Sequence, residues 1–253
     1  MFDLAGSWVW DFWFADDGER YHLFFLYASR ALQNPDARHE RASIGHAVSA
    51  DMVHWTQVAD ALVRSDTPAF DDLATWTGSV VQHPDGTWFM FYTGATLDTN
   101  DKNVQRIGYA TSPDLDVWTK SSDAVLEAFR DPWVFPDPGG DGWQVTQVEV
   151  IDGRPVLLFS CGAEHATEFR RQVDGGVWAV NAESVLGPFA VDEAYPVTTE
   201  NLYVGRLLQH REDGAWFLFA FLNIGSGGGF VGGITDPMPV RWHGERLVAD
   251  LPT

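Results

Sequence analysis

The sequence predicts an all-β fold of the β-propeller class, and two observations support this prediction. Short runs rich in Val, Ile, Phe, Tyr and Trp alternate with Asp-Gly and Gly-Gly turns, whereas helical periodicity is almost absent. These runs also recur, so that each copy contains four short strands within roughly 50–70 residues. Repeats of this size are typical of propeller blades, and a β-sandwich with accidental internal similarity is the alternative.

Each predicted blade begins with a hairpin whose two strands flank an Asp-Gly turn. In chain order the hairpins pair Trp8–Phe14 with Tyr21–Tyr27, Ser79–Gln82 with Trp88–Tyr92, Val145–Ile151 with Val156–Ser160, and Leu202–Gln209 with Trp216–Leu222. The first strand of a blade lines the central channel of a propeller. Side chains from these first strands are therefore expected to converge on one funnel.

A second recurring element follows each hairpin and supplies the remaining strands. It is clearest in the pattern Ser-x-Asp-x-x-x-Trp, which occurs at Ser49–Trp55 and again at Ser112–Trp118. Weaker copies span Val177–Phe189 and Val231–Trp242. The paired patterns favour a propeller over a sandwich, because a sandwich needs no repeat of this kind.

The third blade is predicted to be incomplete. Asp-Gly turns at residues 17, 85, 141, 152 and 213 indicate a five-bladed type, but the turn at Asp141-Gly142 lies only 11 residues before the next one. The remaining strands of a full blade do not fit into that interval. We therefore expect four fuller blades and a shortened third blade, within a single domain that spans residues 1–253.

The composition excludes several classes of partner. The 253 residues include 16 Lys and Arg against 36 Asp and Glu, a formal charge of −20 that repels nucleic acid and anionic membranes. The chain has no apolar segment of about 18 residues and no basic N-terminal stretch before an apolar run, which predicts a cytoplasmic location. The single cysteine, Cys161, cannot form an internal disulfide. An aromatic content of 14% suits a β core or a sugar-sized cleft.

Three segments place polar side chains within aromatic, strand-like sequence at the start of a blade. They are Trp8-x-x-Asp11, Trp76-Thr77-Gly78-Ser79 and Arg130-Asp131-Pro132. Taken singly, each has a structural explanation: a carboxylate at a strand edge, a tight backbone contact, or an ion pair before a proline that keeps Asp131 extended. Taken together and in this order, they predict one site in the funnel.

This constellation resembles glycoside hydrolase family 32, the β-fructofuranosidase group that includes invertases and levanases, and the resemblance covers nearly the whole chain. Families 43, 62 and 68 share the five-bladed fold. The resemblance implies that Asp11 is the nucleophile, although Phe12-Trp13 replaces the Pro-Asn that follows it in the family motif. It also implies that Asp131 binds sugar hydroxyls and stabilises the transition state, with Arg130 holding its carboxylate ionised and oriented.

The sequence differs most from this family at the position of the proton donor. The family's general acid is the Glu of a Trp-Glu-Cys-Pro-Asp motif, and the matching position here is Gln144. An amide cannot protonate a leaving oxygen, whereas a retaining glycosidase needs both a nucleophile and an acid. Glu149 and Glu200 are the fallback acids. In a regular strand Glu149 faces away from residues 144, 146 and 148, so only a bulge would bring it into the site.

The resemblance therefore implies a glycosidase that acts on furanosides, and on β-fructosides in particular. The aromatic rings of Trp10, Trp13, Trp76 and Trp133 are expected to stack against the sugar, and Ser79 to contact it. A propeller that binds a sugar without cleaving it is the alternative, because the acid position holds an amide. A structural or protein-binding propeller is a third hypothesis, which a plugged funnel would favour.

Other partners and cofactors are not expected from the sequence. The eight histidines lack metal-ligand spacing, so no metal site is predicted, and no cofactor is implied. The expected partner is a small carbohydrate. Truncated blade edges can pair between chains, so either a monomer or a dimer is compatible with the sequence.

Overall fold

The computed structural model describes residues 1–133, 147–162 and 175–251, and β-strands dominate these ranges. Three short 3-10 segments accompany the strands, at Arg30–Leu32, Pro35–Arg41 and Val191–Glu193, and no α-helix occurs in the described ranges. None of the helical segments there has the length and apolar character needed to cross a membrane. The all-β prediction is confirmed.

The strands form four antiparallel sheets, and in each sheet the spatial order follows the chain order. The first sheet contains β1 (Ser7–Asp16), β2 (Tyr21–Ser29), β3 (Ser43–Ser49) and β4 (Thr56–Gln57). The second contains β5 (Ala74–Gln82), β6 (Trp88–Leu97), β7 (Asn103–Ser112) and β8 (Thr119–Lys120), with β9 (Leu126–Glu127) also pairing with β7. The third contains β10 (Gln147–Ile151), β11 (Arg154–Cys161), β12 (Gly176–Asn181) and β13 (Tyr195–Pro196). The fourth contains β14 (Leu202–Gln209), β15 (Trp216–Leu222), β16 (Met238–His243) and β17 (Arg246–Ala249).

The chain divides into two compact units, each of which holds two of these sheets. Leu4–Val145 forms the N-terminal unit, and Thr146–Thr253 forms the C-terminal unit together with Met1–Asp3. Three four-stranded sheets and one five-stranded sheet match the four fuller blades expected from the sequence. The shortened third blade falls mainly on residues 134–146, which lie outside the described residues. The single-domain assignment for residues 1–253 stays a prediction.

All four predicted hairpins occur in the structure, although Val145 and Thr146 of the third lie outside the described residues. The fourth hairpin, β14 with β15, agrees with the sequence-based limits to the residue. The third hairpin shows why Asp-Gly serves as the turn. Asp152 and Gly153 have φ values of 52° and 77°, and they connect the directly paired residues Ile151 and Arg154. A two-residue type I′ turn requires positive φ at both central residues, and its twist matches that of the flanking strands.

The Ser-x-Asp-x-x-x-Trp pattern forms the same turn after β3 and after β7. In the first copy the Asp51 carboxylate accepts hydrogen bonds from two backbone N–H groups that follow it, and the Trp55 indole donates to the Met52 carbonyl at 3.0 Å. Asp114 and Trp118 make the equivalent bonds in the second copy. The pattern therefore encodes the turn that leads into the fourth strand of each of these two sheets.

Large rings fill the core of the N-terminal unit. Trp13, Phe24 and His46 lie side by side across β1, β2 and β3, and each side chain is fully buried. The ring centroids of Trp13 and Phe24 are 6.2 Å apart, and those of Phe24 and His46 are 4.6 Å apart. Burying a ring such as Phe24 contributes about 1.5–3 kcal/mol to the stability of the folded unit.

In the C-terminal unit, a buried amide joins two sheets. The Gln147 side chain accepts a hydrogen bond from the backbone N–H of Leu207 at 2.8 Å and donates to its carbonyl at 2.9 Å. Gln147 is fully buried, so both polar ends of its amide need such partners. This pair of bonds ties β10 to β14.

Candidate active site

The first strands of both sheets in the N-terminal unit carry a β-bulge, and each bulge presents a polar residue of the predicted motifs. In β1 the register shifts between Trp10 and Phe12, so Asp11 has no directly opposed partner in β2. In β5 the shift lies between Trp76 and Gly78, and Thr77 is the extra residue. A bulge bends the strand locally and redirects the extra side chain.

The two bulged residues meet. The Thr77 hydroxyl donates a hydrogen bond to Asp11 Oδ2 at 2.5 Å. The residue after Thr77 is Gly78, and the backbone of β6 passes close to it. A Cβ on Gly78 would lie 2.4 Å from the Phe91 carbonyl oxygen. These contacts explain the Thr-Gly step of the sequence motif. The Thr77 side chain orients the Asp11 carboxylate, and position 78 has no room for a side chain.

Asp131 joins the same group through Thr93 of β6. The Asp131 backbone N–H donates to Thr93 Oγ1 at 2.7 Å, and Thr93 Oγ1 donates to the Thr77 carbonyl at 3.3 Å. The Arg130 side chain lies 3.1 Å from Asp131 Oδ2 (Nε to Oδ2), and both side chains are substantially exposed. The structure therefore links Asp11 and Asp131 by consecutive hydrogen bonds through two threonines.

The backbone at Asp131 differs from the expectation. The sequence predicted an extended residue ahead of Pro132, but Asp131 has a φ of 54°, in the left-handed region. The physical reason is tertiary, because the N–H of Asp131 is held by the buried Thr93 hydroxyl of another strand. The proline only sets a local preference, which this contact overrides.

Two residues that the sequence analysis did not single out, Arg38 and His39, lie close enough to Asp11 for its charge to act on both. The Arg38 guanidinium lies over the Trp10 ring at 5.4 Å, and the His39 ring contacts the Trp10 and Trp76 rings edge-on at 5.9 and 6.3 Å. Burial lowers the pKa of both Arg38 and His39, and the charge of Asp11 opposes this shift in each case. The run Arg38-His39-Glu40-Arg41 in a strongly acidic chain was the available signal.

The four tryptophans proposed as a sugar platform divide into two pairs. Trp13 is fully buried in the core and Trp10 is only 2% exposed under Arg38 and His39, so neither ring has a face for a sugar. Trp76 and Trp133 are partly exposed, and for these two the stacking role stays a prediction.

Ser79 is also buried, with 1% of its surface exposed, which argues against direct sugar contact. Residues of β5 alternate between its two faces outside the bulge, and in the structure Ser79 lies on a buried face. Within this motif, the Thr77 hydroxyl reaches a predicted catalytic residue, Asp11.

The candidate acids belong to other parts of the chain. Gln144 lies outside the described residues. Glu149 lies in β10 of the C-terminal unit and accepts a hydrogen bond from the Gln147 amide at 3.1 Å, and burial raises its pKa to about 7. Glu200 precedes β14 in the same unit, and its carbonyl accepts a hydrogen bond from the Asn223 amide. A group with a pKa near 7 is suited to donate a proton at neutral pH.

A buried histidine pair lies in the N-terminal unit, and the sequence spacing did not reveal it. Potential ligand atoms of His22, His46 and Asp116 lie within 4.8 Å of one another. A 2.9 Å hydrogen bond between His22 Nδ1 and His46 Nε2 accounts for the closeness of the two rings. The Asp17 carboxylate accepts a hydrogen bond from His22 Nε2 at 2.9 Å. Burial alone would raise the pKa of Asp17, but this bond and the bonds from backbone N–H groups lower the pKa to about 2.

The histidine pair predicts a loss of stability in mild acid. Burial lowers the pKa of His46 from 6.5 to about 3, so below pH 6.5 the unfolded chain binds a proton that the folded chain does not. The free energy of unfolding should therefore fall by about 2 kcal/mol between pH 7 and pH 5 through this group. Urea unfolding followed by tryptophan fluorescence should show a weaker pH dependence in His46→Gln. His54→Gln, at an exposed ring, is the control, and equal pH dependence in wild type and His46→Gln would contradict the assignment.

The sequence is similar to known β-fructosidases. The family model described as the glycosyl hydrolases family 32 N-terminal domain matches residues 13–164, a range that includes Asp131 and begins just after Asp11. Acid β-fructofuranosidase from Solanum lycopersicum is 33% identical over 197 residues, which make up 71% of this chain and 28% of that protein. β-Fructofuranosidase 1 from Zea mays is 37% identical over 122 residues, 47% of this chain and 16% of that protein. The chain thus spans a small part of the length of these relatives.

Solved structures show the fold. A family 32 β-fructofuranosidase from Bombyx mori superposes with a TM-score of 0.73 at 16% identity, covering 96% of this chain and 62% of that one. An inulosucrase from Halalkalicoccus jeotgali, bound to kestose, gives a TM-score of 0.72 at 18% identity, covering 97% of this chain and 87% of that one. Together with the four described sheets, these similarities identify the fold as a β-propeller.

Proposed function

This chain belongs to glycosyl hydrolase family 32, and from that premise we propose that it acts on β-fructosides with Asp11 as nucleophile and Asp131 as transition-state stabiliser. The observation that carries the proposal is the hydrogen-bond chain from Asp11 through Thr77 and Thr93 to the backbone of Asp131. It joins the Asp11 carboxylate to the backbone of Asp131, a residue 120 positions later in the sequence (131 − 11), within one unit.

In the proposed reaction, Asp11 attacks the anomeric carbon of the fructosyl group. Thr77 donates to Oδ2 of Asp11, so Oδ1 is the oxygen that forms the bond to carbon while the bond to the leaving oxygen breaks. Water then adds to the same carbon, the bond from that carbon to Oδ1 breaks, and Asp11 is released as a carboxylate. The water gives up one proton to solvent, which balances the proton taken up by the leaving oxygen. Asp131 accepts hydrogen bonds from sugar hydroxyls, and these bonds strengthen as positive charge develops on the ring.

The leaving oxygen also needs a proton, and the residue at the acid position supports a second candidate function, sugar binding with little cleavage. Gln144 stands at the position of the family acid, and an amide cannot supply that proton. A propeller that binds a fructoside and cleaves it very slowly is therefore the alternative. The fallback acids, Glu149 and Glu200, would restore the first function if either one serves as donor.

An assay with two kinds of substrate tests the proposal. An aryl β-fructofuranoside has a good leaving group and needs little protonation, whereas sucrose, inulin and levan need full assistance from an acid. We expect turnover of the aryl substrate and much slower turnover of the three natural ones. Calorimetric titration with fructose should show binding in either case. If the protein neither turns over the aryl substrate nor binds fructose, both proposed functions are wrong.

A further inference from the structure

We infer that Thr93 is a positioning residue that couples the two proposed catalytic carboxylates, an inference that rests on the proposed function of Asp11 and Asp131. Thr93 lies in β6 and is fully buried, so it acts only through other residues. Its Oγ1 accepts from the Asp131 N–H and donates to the Thr77 carbonyl. A hydroxyl has one hydrogen and two lone pairs, so it makes both bonds at once.

The first half of the coupling acts on the bulge in β5. Thr77 has no directly opposed partner in β6, because Trp76 pairs with Thr93 and Gly78 pairs with Tyr92. The Thr93 side chain supplies a donor to the Thr77 carbonyl at this interruption of the ladder. The backbone held in this way carries the hydroxyl that orients Asp11.

The second half acts on the backbone of Asp131. A φ of 54° is unfavourable for a residue with a side chain, and persists only where surrounding contacts hold it. The 2.7 Å bond to Thr93 is such a contact, and it fixes the peptide from which the carboxylate extends. Without it, the segment before Pro132 is expected to relax toward the extended region, and the carboxylate would move away from the sugar hydroxyls.

The test compares three variants on an aryl β-fructofuranoside. Thr93→Val keeps the shape of the side chain but leaves the Asp131 N–H and the Thr77 carbonyl without this partner, and kcat should fall about 10–100-fold with little change in KM. Thr93→Ser keeps the hydroxyl and should retain most of the activity. Thr75→Val is the matched control, because Thr75 is equally buried in β5 but its hydroxyl donates toward the Ala42 carbonyl, away from both proposed carboxylates. It should change the urea midpoint without lowering kcat.

Amide hydrogen exchange at Asp131, measured by NMR, separates this inference from the proposed function. The exchange should be at least about tenfold faster in Thr93→Val than in wild type, and near wild type in Thr93→Ser and Thr75→Val. If the wild-type protein turns over no fructoside, the proposed function fails and the exchange rates alone decide the structural coupling. Unchanged exchange at Asp131, or equal loss of kcat in Thr93→Val and Thr75→Val, would overturn the inference.

Discussion

Asp11→Ala is expected to lower kcat by on the order of 10⁴-fold or more on aryl and natural β-fructosides alike, the scale seen when other enzymes lose a covalent nucleophile. The loss should not depend on the leaving group, because the carboxylate forms the bond to the anomeric carbon in every case. Steady-state kinetics with both substrate types measure this. Asp16→Asn, at the other end of β1, is the matched control and should retain the wild-type rate.

Chemical rescue distinguishes a missing nucleophile from a damaged fold. Azide is small enough to occupy the space left by the Asp11 carboxylate. In Asp11→Ala it should attack the anomeric carbon of an aryl fructoside, expel the aryloxide and give a fructosyl azide of inverted configuration. Rescue without a change in the urea midpoint would support the assigned role. A variant that keeps more than about a tenth of the wild-type rate would show that Asp11 is not the nucleophile.

Gln144→Glu should have the opposite effect, and on natural substrates only. Restoring a carboxyl group at the acid position is expected to raise kcat on sucrose or inulin by up to roughly 10²–10⁴-fold, the usual contribution of general acid catalysis. The aryl substrate needs little protonation, so its turnover should change far less. The ratio of the two rates, measured in wild type and variant under the same conditions, isolates the proton-transfer step.

The same assay decides whether another carboxyl already serves as the acid. Burial raises the pKa of Glu149 to about 7, so this group is half protonated near neutral pH. Ordinary turnover of sucrose by the unmodified protein, lost in Glu149→Gln or in Glu200→Gln, would assign the proton donor to that residue. Gln144→Glu would then bring no gain, and the hypothesis of an impaired enzyme would be wrong.

Local chemistry explains why so much of the fold follows from the sequence. Alternating apolar residues, Asp-Gly turns and the Ser-x-Asp-x-x-x-Trp turn act over a few residues, so they determine strands and connections wherever they occur. The turn at Asp152-Gly153 and the pair of turns at Asp51 and Asp114 form as these patterns predict. The order of the three polar motifs along the chain predicted a shared site for Asp11 and Asp131, and hydrogen bonds join Asp11 to the Asp131 backbone in the structure.

The features that the sequence did not predict depend on contacts between distant strands, and no local sequence pattern specifies such contacts. The φ of Asp131 is held by Thr93, 38 positions earlier. Arg38 and His39 reach the site because the Pro35–Arg41 segment packs beside β1 and β5. An aromatic-rich strand shows neither which rings form the core nor which face a cleft, so the sequence does not reveal that Trp10 and Trp13 are core rings.

The bulges of β1 and β5 have a third counterpart in β14, where the register shifts between Tyr203 and Arg206. In β1 and β5 a single residue has no opposed partner, whereas in β14 Val204 and Gly205 lie between the paired residues. In all three strands the ladder resumes on both sides of the interruption. At Asp11 and Thr77 the side chain is therefore less constrained by strand pairing than its neighbours are. Substitution there can add or remove a reactive group while the paired residues on either side keep the sheet intact.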